Sequence, residues 1–224
     1  MSTFEPSAGS DSEVARLGRL TVAAVGDVLD RLELRAQVLD YAIRSAFPCA
    51  TFAGRAFTIA AVPSDTILEH PYEREIAAVD AIPVGAVVMI ATAGWCEAAI
   101  WGELLATRAV ARDAVAVVCD GAVRDLRELR RLALPTFAAS VCARDSYGRL
   151  MVTGFGDEIV CGGVRVRSGD LVLGDEDGVV VVPADVAEAA LAAAEEKLRL
   201  ERAAKVALEK GETAAAMYEQ HGIL

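Results

Sequence analysis

The sequence predicts a single mixed α/β domain, and three observations lead to that class. Apolar runs of strand length alternate with helix-like segments through the middle of the chain. A hairpin grammar takes over after Glu158, and a long Ala- and Glu-rich helix follows it. At 224 residues the chain is long enough to bury most of its apolar surface in one core. It is 54% hydrophobic but only 5% aromatic, so Ala, Val and Leu fill that core, as suits helices packed closely on a sheet.

Taken in order, residues 1–11 are rich in Ser and Gly and read as a disordered lead-in, leaving 12–224 as the domain. Ser12 is a cap for a short helix carrying Val14, Leu17 and Leu20, and Thr21 for a second with Val22, Val25, Val28, Leu29 and Leu32 on one side. Residues 47–54 read as a loop and 55–62 as a strand that Pro63 ends. A polar stretch over 64–72 holds His70 and precedes a helix over 73–82. Pro83-Val84-Gly85 turns into a buried strand over 86–92. Gly94 opens a loop, and the pattern predicts a helix over 98–112. A third strand, 114–119, is closed by Asp120-Gly121, read as a turn. A helix over 126–132 and a strand over 134–139 follow. Val164 and Val166 alternate with Arg165 and Arg167; 171–173 and 179–182 then pair as a hairpin stopped by Pro183. The last helix, 185–210, ends at Gly211 as a C-cap. No repeat, low-complexity tract or linker divides the chain.

The charge balance narrows the partners. Thirty-three acidic against 22 basic residues give net −11, which argues against nucleic acid and anionic membrane, and the local cluster of Arg127, Arg130 and Arg131 does not reverse that. Apolar stretches stop well short of a membrane span, and no basic flank precedes an apolar core as in a signal peptide. The cysteines, at 49, 96, 119, 142 and 161, form no CxxC or Cys/His cluster, so structural zinc and redox pairs are not expected; Cys119 and Cys161 read as buried thiols. A reducing cytoplasm is the simplest home. His70 and His221 do not suit a Ser-His-Asp arrangement, and neither phosphate-loop pattern, GxGxxG or GxxxxGK[ST], occurs. His70, near Tyr72, reads as a polar loop residue or as lining for the variable end of a substrate.

Chemistry concentrates in two places. Arg124-Asp125 follows a buried strand, where open α/β sheets present residues to ligands. Arginine offers a planar fork for a carboxylate or 2-oxo acid, and aspartate a hard oxygen for Mg²⁺. Taken alone the dipeptide is more often a surface ion pair or a helix start. Gly102-Glu103-Leu104-Leu105 opens a helix whose first amides are free to bind an anion, with Glu103 as proton acceptor or water positioner. Glu103 equally fits a first-turn acid that complements the helix dipole, with Leu104 and Leu105 as core.

Together the two places are more specific. Glu103, twenty residues, then Arg124-Asp125 resembles the D-x20-R-D signature of the metal-dependent (class II) pyruvate aldolases of the RraA-like family. The segments TVAAVGDVLD, PVGAVVMIATAG, WGELLATRA, VVCDGAVRD and SGDLVLGDEDGVVVVP are similar to family segments in family order, covering residues 18–211. The resemblance implies a swivelling β/β/α-type domain forming homotrimers or homohexamers with active sites between subunits. It implies a lyase that cleaves a 4-hydroxy-2-oxo acid, such as 4-hydroxy-4-methyl-2-oxoglutarate or 4-carboxy-4-hydroxy-2-oxoadipate, to release pyruvate, with oxaloacetate decarboxylation as a side activity. Pyruvate would be held by Gly102, Glu103, Leu104, Leu105 and Arg124, and Mg²⁺ or Mn²⁺ by Asp125, largely through waters. The alternative within the family is a non-catalytic, RraA-like regulator that binds and inhibits a ribonuclease. This chain departs from the signature in carrying Glu103 where the family has Asp. A further catalytic carboxylate, supplied by the neighbouring subunit's C-terminal helix, is also implied. Glu201 is its candidate, because it continues the stripe Ala187, Leu191, Ala194 and Leu198; it equally fits a helix leaving the core.

Overall fold

The computed structural model describes residues 10–48 and 51–221. The expected disorder of residues 1–9, and Cys49, lie outside these. Two short helices come first, α1 (Ser10–Leu17) and α2 (Val22–Arg31). Thr21 caps α2, its hydroxyl accepting from the Ala24 amide, whereas α1 begins at Ser10, two residues before the expected cap. Next come β1 (Arg44–Ser45), β2 (Phe52–Pro63), α3 (Glu73–Asp80), β3 (Ala86–Ala91), β4 (Ala99–Trp101), α4 (Glu103–Val110), β5 (Ala116–Val123), α5 (Leu126–Leu132) and β6 (Thr136–Val141). The chain continues through β7 (Leu150–Phe155), β8 (Ile159–Cys161), β9 (Val164–Val166), β10 (Leu171–Asp175) and β11 (Gly178–Val182) to α6 (Ala187–Glu209) and α7 (Ala214–His221).

One sheet runs β1-β6-β5-β3-β2-β10-β11, with β4 beside β5 and β7 beside β2. Its centre is parallel, because α3, α4 and α5 carry the chain back between strands. The long strand β2 pairs with β10 through Phe52–Arg55 and with β7 through Ile59–Pro63. The sheet nearly closes into a barrel flanked by helices. Residues 37–45 strap its ends together: Gln37 and Leu39 exchange backbone bonds with Val181 and Val179 of β11, and Arg44–Ser45 pair with β6.

The strands alternate as a curled sheet requires. Val87 and Met89 of β3 face an interior shared with Val118, Phe137, Val172 and Val181, which the β8–β9 hairpin covers with Val164 and Val166. Val88 and Ile90 face outward onto the layer built by α3, α4 and α5. A second helical layer, α1, α2 and α6, covers the other face of β10 and β11.

Two expectations need correction. Ala99–Trp101 forms a strand, parallel to Ala122–Val123, and not the first turn of a helix. Asp120-Gly121 lies inside β5 and makes no turn. Glycine is needed there for close approach: a Cβ would stand 2.8 Å from the Trp95 carbonyl oxygen and closer still to the Thr92 hydroxyl. The strand β7 and the helix α7 had no counterpart in the sequence reading. The late hairpin and the helix ending before Gly211 (φ +97°) are as expected, although the helix proper starts at Ala187, after a 3₁₀ turn.

Candidate active site

Two chain reversals bring the predicted residues together. Strand β4 ends beside the C-terminal end of β5, and the Trp101 carbonyl accepts from the Arg124 amide at 2.9 Å. Gly102 then lets α4 start directly over Arg124-Asp125. A Cβ at 102 would lie 2.6 Å from Asp125 Oδ2 and 3.1 Å from Arg124 Cγ, so glycine is dictated by contact and not by φ, which is extended at −159°. Across this contact the Glu103 amide, the first of the helix, donates to Asp125 Oδ2 at 3.1 Å. Asp125 itself adopts the left-handed conformation (φ 59°, ψ 35°), which turns the chain from β5 into α5 and keeps its carboxylate at the site.

Gly102, Glu103, Leu104, Leu105, Arg124 and Asp125 line one cavity of about 560 Å³. Of its remaining wall the sequence reading offered only the segment around Tyr72, beside the His70 read as lining for a variable substrate end. That wall comes from the start of α3, with Tyr72, Glu75 and Ile76, and from the loop before β7, with Asp145 and Ser146. The Arg124 guanidinium joins the walls, 3.7 Å from Asp125 Oδ2 and 3.2 Å from Asp145 Oδ1. Tyr72 donates to the other Asp145 oxygen at 2.5 Å. That bond, aided by burial, pushes the Tyr72 phenol up to about 12. Glu75 is buried, and burial raises its carboxyl to about 7, against a hydrogen bond from Ser146 that lowers it. Trp101 also lines the cavity; its buried indole N–H has no acceptor among the described residues.

Leu104 is 82% exposed and forms an apolar lip, not core. His70 lines a separate depression with Glu69, Pro71 and Arg74. Glu201 is not part of the cavity within one chain. It lies on α6, in the other helical layer, and accepts from Lys197 at 2.6 Å, while Lys197 also reaches Asp27 at 3.0 Å.

Residues 22–181 match the RraA-like family model, described as Aldolase/RraA. The chain belongs to the RraA-like family. A relative from Halalkalibacterium halodurans named "Putative 4-hydroxy-4-methyl-2-oxoglutarate aldolase" is 37% identical over 116 residues, 50% of this chain and 53% of that protein. The chain thus spans about half the length of that relative. A protein of the same name from Thermus thermophilus is 30% identical over 138 residues, 60% of this chain and 77% of that protein. The structure of Streptomyces coelicolor RraAS2, described as an unusual member of the RNase ES inhibitor RraA protein family, matches with a TM-score of 0.81. The match covers 90% of this chain and 99% of that one at 23% identity, a likeness of fold.

In this RraA-like chain the donor set is spare. Among the described residues no three His, Cys, Asp or Glu side chains converge into a ready cage. Asp125, tied through Oδ2 and 40% exposed, fits a hard cation that takes one protein carboxylate and fills its shell with water and substrate oxygens. Arg124 and the amides opening α4 fit a carboxylate.

Proposed function

We propose that this protein is a lyase of aldolase type that cleaves a 4-hydroxy-2-oxo acid and releases pyruvate. The observation that carries the reading is the facing of Arg124 and Asp125 against the helix opening at Gly102–Leu105 across one cavity. Family membership and the names of the two relatives support the reaction class.

Breaking the bond between C3 and C4 of such an acid turns the 4-hydroxyl into a carbonyl, with its proton passing to water in the cavity, and leaves charge on the 2-oxo oxygen as an enolate. Arg124 is the fixed cation of the site, and its guanidinium stabilises that charge more than it stabilises the neutral carbonyl. With the Glu103 amide taken by Asp125, the next amides of α4, at Leu104 and Leu105, hold the substrate carboxylate and align the bond to be broken. Asp125 would hold Mg²⁺ or Mn²⁺, which when bound supplies a further positive charge to the same oxygens. Glu103 extends from the first helical turn and positions the water that returns a proton to C3. Its extra methylene over aspartate lengthens the reach without altering the group that does the work. In an assembly of three or six copies, Glu201 of a neighbouring subunit is the further carboxylate. Free buried thiols at Cys119 and Cys161 fit a reducing cytoplasm.

The test is coupled detection of pyruvate from oxaloacetate and from 4-hydroxy-2-oxo acids, with Mg²⁺ and with EDTA. Metal-dependent release that disappears in Arg124→Ala and Asp125→Ala is the expected result. Absence of turnover on every substrate, with tight binding to a ribonuclease, would instead support the regulatory alternative.

A further inference from the structure

Glu75 has no task in the reaction described above, yet it is placed unlike the other acids of the cavity. Asp125 is tied to the Glu103 amide and fits a cation, and Asp145 is held between Arg124 and Tyr72. Glu103 stands exposed on the first turn of α4. The Glu75 carboxyl is buried in the facing wall, where the hydrogen bond it accepts comes from a neutral group, the Ser146 hydroxyl. Glu75 is also shared by two hollows. It lines the cavity and, alone among the cavity's residues, the depression of about 250 Å³ that holds His70. A carboxyl so set can take a proton from one hollow and release it to the other. Its place is fixed within one chain, by α3 and the loop of Asp145 and Ser146, and so holds whichever groups a neighbouring subunit or a cation at Asp125 adds to the cavity.

Cleavage needs such a group. With the pyruvate half of the substrate on the wall of Arg124 and α4, C4 and its hydroxyl point across the cavity, toward the wall of Glu75. We infer that, given the lyase reading above, Glu75 is the catalytic base of the cleavage: its carboxylate takes the 4-hydroxyl proton through one cavity water and releases it by way of the His70 depression. In that step the O–H bond breaks and its electron pair forms the C4 carbonyl, while the pair of the C3–C4 bond passes into the enolate. Glu75 leaves the step as the carboxylic acid. Solvent supplies one proton to C3, through the water at Glu103, and Glu75 returns one to solvent, so protons balance over the cycle. A base serves best when it changes protonation near the working pH. Burial raises the Glu75 carboxyl to about 7; the Ser146 hydrogen bond lowers it, Asp145 raises it and Arg124 lowers it. Tyr72, Glu103 and Asp125 are the other titratable groups on the cavity side, and Glu69, His70, Glu73 and Arg74 are the titratable and charged groups of the depression.

Aldol cleavage and oxaloacetate decarboxylation pass through the same enolate, but only cleavage has a hydroxyl proton to remove, so the ratio of the two rates isolates the base. Pyruvate release is followed on the assembled, Mg²⁺-loaded protein, with cation and neighbouring subunit in place. The substrates are oxaloacetate and whichever of 4-hydroxy-4-methyl-2-oxoglutarate and 4-carboxy-4-hydroxy-2-oxoadipate is cleaved faster. Glu75→Gln should lower the cleavage-to-decarboxylation ratio by about a hundredfold, the scale for loss of a general base. Both rates come from one preparation, so a general loss of folded fraction cancels. The native protein supplies a second measurement that needs no variant: the same ratio should rise with pH through about 7, as Glu75 ionises. Equal losses in both reactions, no loss in either, or a native ratio flat with pH overturns the inference and leaves the lyase intact, its base lying elsewhere, as at Glu201 of a neighbouring subunit. Native protein that releases pyruvate from neither hydroxy acid nor oxaloacetate removes the lyase reading itself, and the inference with it.

Discussion

The cavity has two walls, and they are built by different means. The wall of Gly102–Leu105 and Arg124–Asp125 is a backbone construction. A helix start is pressed onto a strand end, a missing Cβ allows the approach, and an amide is aimed at a carboxylate. The wall of Tyr72, Glu75, Asp145 and Ser146 is a side-chain construction, in which residues more than sixty positions apart meet through a phenol, a hydroxyl and two acids. The first wall resists drift, because altering it requires moving an element. The second can be rewritten one side chain at a time. A family that keeps one chemistry while changing substrates would place the shared half of the substrate on the first kind of wall and the variable half on the second.

The contrast is broken most directly at Arg124. Arg124→Ala should lower kcat/KM for pyruvate release by about a thousandfold, the scale for loss of a charge aimed at a developing oxyanion. A loss of less than tenfold would move the chemistry away from this wall. Gly102→Ala tests whether backbone proximity matters by itself. The new methyl meets Asp125 Oδ2 at 2.6 Å, and the helix start must back away. A displacement on the scale of an ångström predicts a loss of about a hundredfold in kcat/KM with an unchanged circular dichroism spectrum.

Glu75 gives the side-chain wall a pH signature. Its carboxyl is raised from 4.5 to about 7 by burial, so the folded protein holds a proton that the unfolded chain releases at lower pH. Stability from this group is therefore full below about pH 4.5 and is lost as pH rises through 7, by up to about 3 kcal/mol. Denaturant unfolding at pH 5 and pH 8 should show that decline in the native protein and a flatter profile in Glu75→Gln. Tyr72→Phe should have the smallest effect. It removes one hydrogen bond to Asp145, with a cost of about 1–2 kcal/mol in denaturant unfolding, and it removes the phenol that titrates near about 12 in ultraviolet titration.

The same division explains what could be read in the sequence. Arg124-Asp125 was legible because it follows a buried strand whose position apolar periodicity gives; Glu103, inside the helix expected over 98–112, was legible only through its spacing from that pair. Glu75 looked like any first-turn acid; only its burial beneath the loop of Asp145 and Ser146 singles it out. The bond from Tyr72 to Asp145 spans 73 positions, and no local pattern encodes it. Ala99–Trp101 was read as helix because three apolar residues before a helical run share its composition; pairing with Ala122–Val123 decides the matter. Asp120-Gly121 misled for a different reason. Asp-Gly is the commonest kind of turn dipeptide, but here the aspartate accepts from the Thr92 amide and hydroxyl while the glycine makes room for a neighbouring carbonyl. Alternation alone identified the inward Val164 and Val166, since a period of two survives any tertiary context.

The left-handed backbone at Asp125 bears on why the two acids of the site differ in length. Such a conformation tolerates glycine, asparagine and aspartate, whose compact side chains avoid the clash that longer or branched ones incur, at about 1–2 kcal/mol. Position 103, inside a regular helical turn, imposes no such filter. A glutamate is therefore admitted freely at position 103 and penalised at position 125, and this chain carries the longer acid where the main chain is indifferent to it and the shorter one where it is not.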